Sequence, residues 1–176
     1  MTSSAAVFRD ATMADAGAML GIYRHYVDTS WVSFEETAPD LPEFSARVAK
    51  YLAGWSCLVA EQQGQVVGYA YGSAHRDRPA YRWSVETTNY VRPGVQRAGI
   101  GRGLYRELFP RLEARGYCNA YAGVALPNEA SVGLHLAVGF QSIGTFPRVG
   151  FRCGAWRDVA WFHRPLSDCL HPGDLP

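Results

Sequence analysis

Patterned cysteine is missing from this chain. Cys57, Cys118, Cys153 and Cys169 form neither a CxxC pair nor a Cys/His cluster. Neither a zinc site nor a disulfide framework is signalled, and reduced thiols in a cytoplasmic protein fit best. An excess of one charge is missing too, since 17 Lys and Arg against 16 Asp and Glu leave a formal net charge of +1. Such a balance offers no broad basic field to a phosphate backbone, which argues against nucleic acid as a partner. No stretch approaches the roughly 18 apolar residues a membrane helix requires. The opening residues lack a basic region followed by an apolar run, so a soluble, unexported protein without a membrane partner is expected. Internal repeats and low-complexity segments are absent, and nothing in the spacing of His, Cys, Asp and Glu calls for a metal.

What is present is a length of 176 residues with 48% hydrophobic and 13% aromatic content, enough for one well-filled core. A single domain over 1–170 is expected, followed by a disordered tail, 171–176, whose prolines and glycine have little to bury. Residues 7–9 read as a short strand. Thr12 and Asp15 are spaced to cap a helix that carries Ala16, Met19, Leu20, Tyr23 and Val27 at helical intervals. Asp40, with Pro42 and Glu43 behind it, opens a second helix reaching about Leu52. Residues 56–61 and 66–73 form two β-rich runs around Gln-Gln-Gly-Gln, the punctuation of a hairpin. A third strand is expected over 83–91, a helix over 99–115, a strand over 119–124, a helix over 129–138 stopped by Gly139, and strands near 141–145 and 156–163. The fold class is α/β, a mixed central sheet with helices on both faces. Pro110 falls inside the third helix, where the missing donor should bend it near Arg106.

The most informative stretch is Val91-Arg92-Pro93-Gly94-Val95-Gln96-Arg97-Ala98-Gly99-Ile100-Gly101-Arg102-Gly103-Leu104, between a strand and an amphipathic helix. Glycines at 99, 101 and 103 let a turn present several N–H groups to one anion, and the new helix adds its partial positive end. Arg97 and Arg102 suit a diphosphate. Neither the early βαβ setting of a dinucleotide fingerprint nor the Gly-Lys-Ser/Thr of a P-loop is found.

Gln96-Arg97-Ala98-Gly99-Ile100-Gly101 resembles the Q/R-x-x-G-x-G/A signature of GNAT acetyltransferases, and 128–140 is similar to their closing motif N-x-x-(A/S)-x-x-L-x-x-x-G-F. The resemblance implies the GNAT fold and acetyl-CoA as co-substrate, held by Gln96, Arg97, Ala98, Gly99, Ile100, Gly101 and Arg102. It further implies contacts to the cofactor from Asn128 and Ser131. Within the fold, Trp83, Glu86, Thr88, Tyr90 and Val91 match the W-x-x-E-x-T/S-x-Y-V of the phosphinothricin acetyltransferase group. Gly150-Phe151-Arg152-Cys153-Gly154-Ala155-Trp156-Arg157-Asp158-Val159 is similar to its G-F-K-x-G-x-W-x-D-V stretch.

Attack of an amine on a thioester requires the amine to lose its proton, and an α-amino group with pKa of about 8 is mostly protonated at neutral pH. Glu86, just ahead of the glycine turn, suits the base; the plainer reading is a solvated strand acid or an arginine partner. His135 stands where many GNAT enzymes carry a tyrosine that protonates the leaving thiolate, and it reads equally as a satisfied core histidine. Asn128 is either a helix cap or a ligand of the pantetheine arm. By resemblance, the backbone of Asn89, Tyr90 and Val91 lies in a splayed strand and faces the thioester, where fixed N–H groups stabilise an oxyanion.

An amino-acid-like acceptor presents a carboxylate that an arginine fork would match. Arg78-Pro79-Ala80-Tyr81-Arg82-Trp83 resembles the group's R-x-A-Y-x-W stretch, and Trp31-Val32-Ser33-Phe34-Glu35 its early S/T-x-F-E segment, so Trp31, Phe34, Glu35, Arg78, Tyr81, Arg82 and Trp83 are the substrate-side residues. The aromatics among them also read as ordinary core or loop residues. The resemblance implies acetylation of a small-molecule amine such as phosphinothricin or methionine sulfoximine, and a homodimer. The alternatives are another amine (a polyamine, an aminoglycoside or a protein N-terminus) and a non-catalytic acyl-CoA binding module.

Overall fold

The computed structural model describes residues 5–95 and 98–173. Strand β1 (Val7–Asp10) leads through a single 3-10 turn into α1 (Ala16–Thr29), then α2 (Leu41–Gly54). The hairpin β2 (Cys57–Gln62) and β3 (Gln65–Ala74) is followed by β4 (Ser84–Val91), α3 (Ile100–Ala114), β5 (Asn119–Ala125), α4 (Glu129–Ala137), β6 (Gln141–Arg152) and β7 (Ala155–Pro165). The order expected from periodicity is the order found.

Local chemistry explains the joints. Thr12 and Asp15 form a reciprocal capping box, and Arg9 grips both oxygens of the Asp15 carboxylate at 2.8 and 2.9 Å. That grip, with bonds from Thr12, holds the Asp15 carboxyl down at about 2. Asp40 caps α2 by accepting from the Glu43 N–H at 2.8 Å, with proline in the first turn. The β2–β3 turn places Gln63 and Gly64 at φ of 53° and 73°, the two-residue turn whose twist matches a hairpin. α3 runs through Pro110 to Ala114.

Seven strands form one sheet in the order β1-β2-β3-β4-β5-β7-β6, with β4–β5 the parallel pair. Because successive strand residues point to opposite faces, the sheet buries two cores. Leu58, Ala60, Ala70, Val85, Ala120, Ala122 and Phe162 meet α3, while Val59 and Tyr69 meet α1 and α2. Among the described residues no helix is long and apolar enough to cross a membrane.

One element departs from expectation. β6 extends to Arg152 instead of ending near 145, and its register against β7 shifts between Phe146 and Gly150. Pro147, which has no ladder donor, and Arg148, at φ of 49°, sit in that shift, and the Asp158 carboxylate accepts from the Arg148 N–H at 2.7 Å. A bulge accommodates residues that would end a regular strand.

Candidate active site

β4 and β5 pair only over Ser84–Asn119, Val85–Ala120 and Glu86–Tyr121, although β4 continues to Val91 and β5 to Ala125. Beyond Glu86 each strand keeps its outer neighbour, β3 or β7, and the inner edges separate into a wedge. The Thr87 hydroxyl donates to the Tyr121 carbonyl at 3.3 Å and closes the wedge at its apex. The backbone groups of 87–91 that would have continued the ladder are thereby released from strand pairing and open to other partners.

Past the end of β4, Gly99 adopts a left-handed conformation (φ 78°) and α3 begins, its first intrahelical bond running from the Gly103 N–H to the Gly99 carbonyl at 2.9 Å. The N–H groups of Ile100, Gly101 and Arg102 precede that bond and have no intrahelical partner. The Asn89 amide donates to the Gly101 carbonyl at 3.0 Å and ties the wedge to this helix start, and Arg102 reaches the Ala137 carbonyl at 3.3 Å. A Cβ on Gly101 would come within 3.0 Å of Leu134. Gly103 serves packing rather than the anion cradle, since a Cβ there would overlap the Phe8 ring. Ala98 is exposed beside the turn; Gln96 and Arg97 lie outside the described residues.

Alternation sorts the other residues into two faces. Glu86, Thr88 and Tyr90 point to the α1/α2 side. Opposite Glu86 across the sheet stand Ser73, Tyr121 and His163. His75 follows Ser73 by two residues, just beyond β3, and its Nδ1 lies 3.0 Å from Glu86 Oε1. The His75 ring stacks on Tyr121 at 4.6 Å, with Tyr81 and Trp161 edge-on at 5.8 and 6.2 Å. Burial pushes the Glu86 carboxyl up, and the bond and charge of His75, with the charge of Arg76, act in the opposite direction. The Glu86 side chain keeps 34% of its surface exposed, so it is reachable.

α1 and its following loop wall this face. The Tyr26 hydroxyl donates to the Val91 carbonyl at 2.5 Å, and the Trp31 indole to the Pro127 carbonyl at 3.1 Å, one on each side of the wedge. Arg157 lies over the Trp31 ring at 4.3 Å, and the Phe34 ring fills the space a side chain on Gly150 would need. A cavity of about 650 Å³ adjoins them, lined by residues including Pro127, Asn128, Trp156 and Arg157.

The other residues singled out in the sequence have these surroundings. His135 is a core residue, 5% exposed, stacked on Phe162 and edge-on to Tyr105 and Phe140. Its Nδ1 must donate to the Ser131 carbonyl at 2.7 Å, which leaves Nε2 to accept from the Tyr105 hydroxyl at 2.9 Å. Both nitrogens are occupied and burial lowers its affinity for a proton, so this geometry leaves no proton to give a thiolate. Glu35 is tied to α2 through Arg47 at 2.6 Å. Arg82 lies on the Trp83 ring at 3.7 Å, and the Trp83 indole donates to the Gly173 carbonyl at 2.7 Å, so this pair engages the C-terminal segment. Arg78 precedes the turn that carries Tyr81 and is exposed. Asn128 is a helix cap, its Oδ1 accepting from the Ser131 N–H at 3.1 Å. His75, Tyr121, Trp161 and His163 carry no local motif and escaped the sequence reading.

The parallel pair thus opens beside an acid, with a helix N-terminus at the end of one arm. The description "Acetyltransferase (GNAT) domain" belongs to the family model that matches residues 8–161, and the chain is a member of that family. It is 43% identical to the phosphinothricin N-acetyltransferase of Alcaligenes faecalis over 155 residues, covering 87% of this chain and 79% of that one. It is 32% identical to the L-methionine sulfoximine/L-methionine sulfone acetyltransferase of Salmonella typhimurium, covering 93% and 96%. The solved structure of a phosphinothricin acetyltransferase from Sinorhizobium meliloti in complex with AcCoA superposes with a TM-score of 0.91 at 36% identity, over 96% of this chain and 94% of that one.

Proposed function

We propose that this N-acetyltransferase moves the acetyl group of acetyl-CoA to the primary amine of a small amino-acid-like acceptor, of the phosphinothricin or methionine sulfoximine type, by direct attack in a ternary complex. The carrying observation is that β4 and β5 part immediately after Glu86. A pantetheine arm fits the freed edges of the wedge, and a diphosphate fits the unpaired N–H groups at the start of α3, with Arg102 beside it and with Gln96 and Arg97, outside the described residues, assigned to the same ligand by the motif resemblance. Asn128 spends Oδ1 on the cap, so its Nδ2 remains a donor for the same arm. Acetyl-CoA supplies an activated acyl carbon; the chain supplies orientation and a proton acceptor.

Glu86 takes one proton of the acceptor ammonium from the α1/α2 face; the freed amine attacks the thioester carbonyl, the C–S bond breaks as the amide forms, and the proton still on nitrogen passes to the leaving sulfur, so that CoA departs as the free thiol. The N–H groups of Asn89 and Val91, which alternate with those bonded to β3 and face the opened edge, are fixed donors for negative charge on the acyl oxygen, which need not reorganise during reaction. Trp31, Phe34, Tyr81 and Arg157 surround the acceptor. The Trp161 indole N–H, buried without a partner among the described residues, is a donor for one of its oxygens. The exposed Ile143, Phe146, Val149 and Phe151 on the edge strand β6, with Trp156 beside Phe151 on β7, support a homodimer, and the four free cysteines suit a cytoplasmic enzyme. One domain carries all of these parts. Purified protein offered acetyl-CoA with a panel of such amino acids should release free thiol with at least one of them; no release across the panel would overturn the assignment of the acceptor.

A further inference from the structure

Glu86 is the only carboxylate among the described residues to which a histidine is paired within salt-bridge distance, and nothing in the reaction outlined above uses that histidine. An ionised carboxylate has no proton to donate, so when Glu86 is charged the hydrogen at 3.0 Å must sit on His75 Nδ1. The ring is held for this bond. It is stacked on Tyr121 at 4.6 Å with a 17° tilt, braced by Tyr81 and Trp161, and its side chain is 12% exposed.

We propose that His75 is a positioning residue for acyl transfer, its Nδ1–H holding Oε1 of Glu86 so that Oε2 faces the acceptor amine. The inference rests on the reading of Glu86 as base. Two consequences follow from the geometry. The carboxylate loses rotational freedom, which orients it toward the acceptor before the acceptor arrives. The donated bond also favours the ionised carboxylate and offsets the burial that would otherwise leave it protonated, and so useless as a base, in mildly acidic solution. The other titratable or charged groups around the pair are Arg76, next to His75 in the segment after β3, Tyr81 on the 3-10 turn before β4, Tyr121 on β5 and His163 on β7. His163 is turned aside, its Nε2 lying 2.8 Å from Asn119 Oδ1. Arg76 and Tyr81 interact with each other, the guanidinium 5.9 Å from the ring centre. Among the described residues His75 alone donates a side-chain hydrogen bond to the Glu86 carboxylate.

The test is the pH profile of kcat/KM for the full-length wild type, His75→Phe and His75→Asn, with acetyl-CoA and the best acceptor from the panel. Phenylalanine keeps a ring on Tyr121 and removes the donor; asparagine restores a donor that does not titrate. The acid limb of His75→Phe should move upward by about one pH unit, a loss of about tenfold on that limb, with a much smaller loss on the alkaline plateau. His75→Asn should bring the limb back toward wild type, and the KM for acetyl-CoA should stay constant in both. An unmoved limb in His75→Phe, or an equal loss at every pH that His75→Asn does not relieve, would overturn the proposal. Circular dichroism and thermal melts establish that both variants fold; if His75→Phe does not, a His75→Asn profile with an upward-shifted limb overturns the proposal and one resembling wild type supports it. Glu86→Gln separates the two layers. Full turnover with an intact limb in that variant removes the base itself, whereas loss of turnover there with an unmoved limb in His75→Phe removes only the role of His75.

Discussion

His75 and His135 lie on opposite faces of the sheet, and each bonds a polar partner, yet their surroundings give them opposite capacities. His135 sits among Tyr105, Phe140 and Phe162 with both nitrogens engaged and 5% of its surface exposed. His75 stands at the lip of an open face and directs one nitrogen at a carboxylate. A histidine whose hydrogen bonds close on the core fixes packing, while one whose bond ends on a reachable acid tunes that acid. The chemistry proposed for the wedge is therefore asymmetric, with the donor held from the α3 side and the acceptor deprotonated from the α1/α2 side.

Four substitutions or conditions would break or sharpen this contrast. Glu86→Gln should lower kcat/KM by about 10²- to 10⁴-fold, most at low pH where free amine is scarce, while calorimetry shows acetyl-CoA still bound. Turnover unchanged at every pH would remove the active face. His135→Leu should act on folding instead: losing the acceptor for the Tyr105 hydroxyl should cost about 1–3 kcal/mol in urea titrations, with the folded fraction still active. A variant of full stability and no turnover would return His135 to the chemistry.

The same contrast has a pH signature. Burial lowers the folded-state pKa of His135 below its ordinary 6.5, so the unfolded chain binds more protons in that window. Stability should therefore fall as pH drops below about 6.5, with a His135 share of at most about 1.4 kcal/mol per pH unit that vanishes in His135→Leu. The smallest effect is expected from Trp31→Phe, which removes the bond to the Pro127 carbonyl and should raise the acceptor KM by about threefold without changing the affinity for acetyl-CoA. A matching loss of acetyl-CoA affinity would show that Trp31 belongs to the donor side.

Much of this was readable from periodicity and caps. The order of elements, the Thr12–Asp15 box, the Asp40 cap and the glycine turn before α3 all follow from local spacing, because local hydrogen bonding and amphipathic pattern decide them. The length of β6 did not, since Pro147 and the glycines around it read as breaks until a bulge accommodates them. Gly103 looked like part of an anion cradle, and its need for a bare Cα comes from Phe8, 95 positions earlier in the chain. His75, Glu86, Tyr121 and His163 meet only through strand register, a non-local property that no short window contains. Motif position favoured His135 for the same reason: a pattern records where a residue lies on its helix, and the closing of Tyr105 and Ser131 around its nitrogens is a tertiary fact.

The account depends most on the wedge as the seat of the donor, and backbone hydrogen exchange with and without acetyl-CoA tests it directly. Amides of 87, 89 and 91, which face the wedge, and of 100–102 should exchange more slowly with the donor bound, while those of 84–86, in the paired part of the sheet, stay as they were. Bound acetyl-CoA that leaves both segments unprotected and slows exchange elsewhere would contradict it.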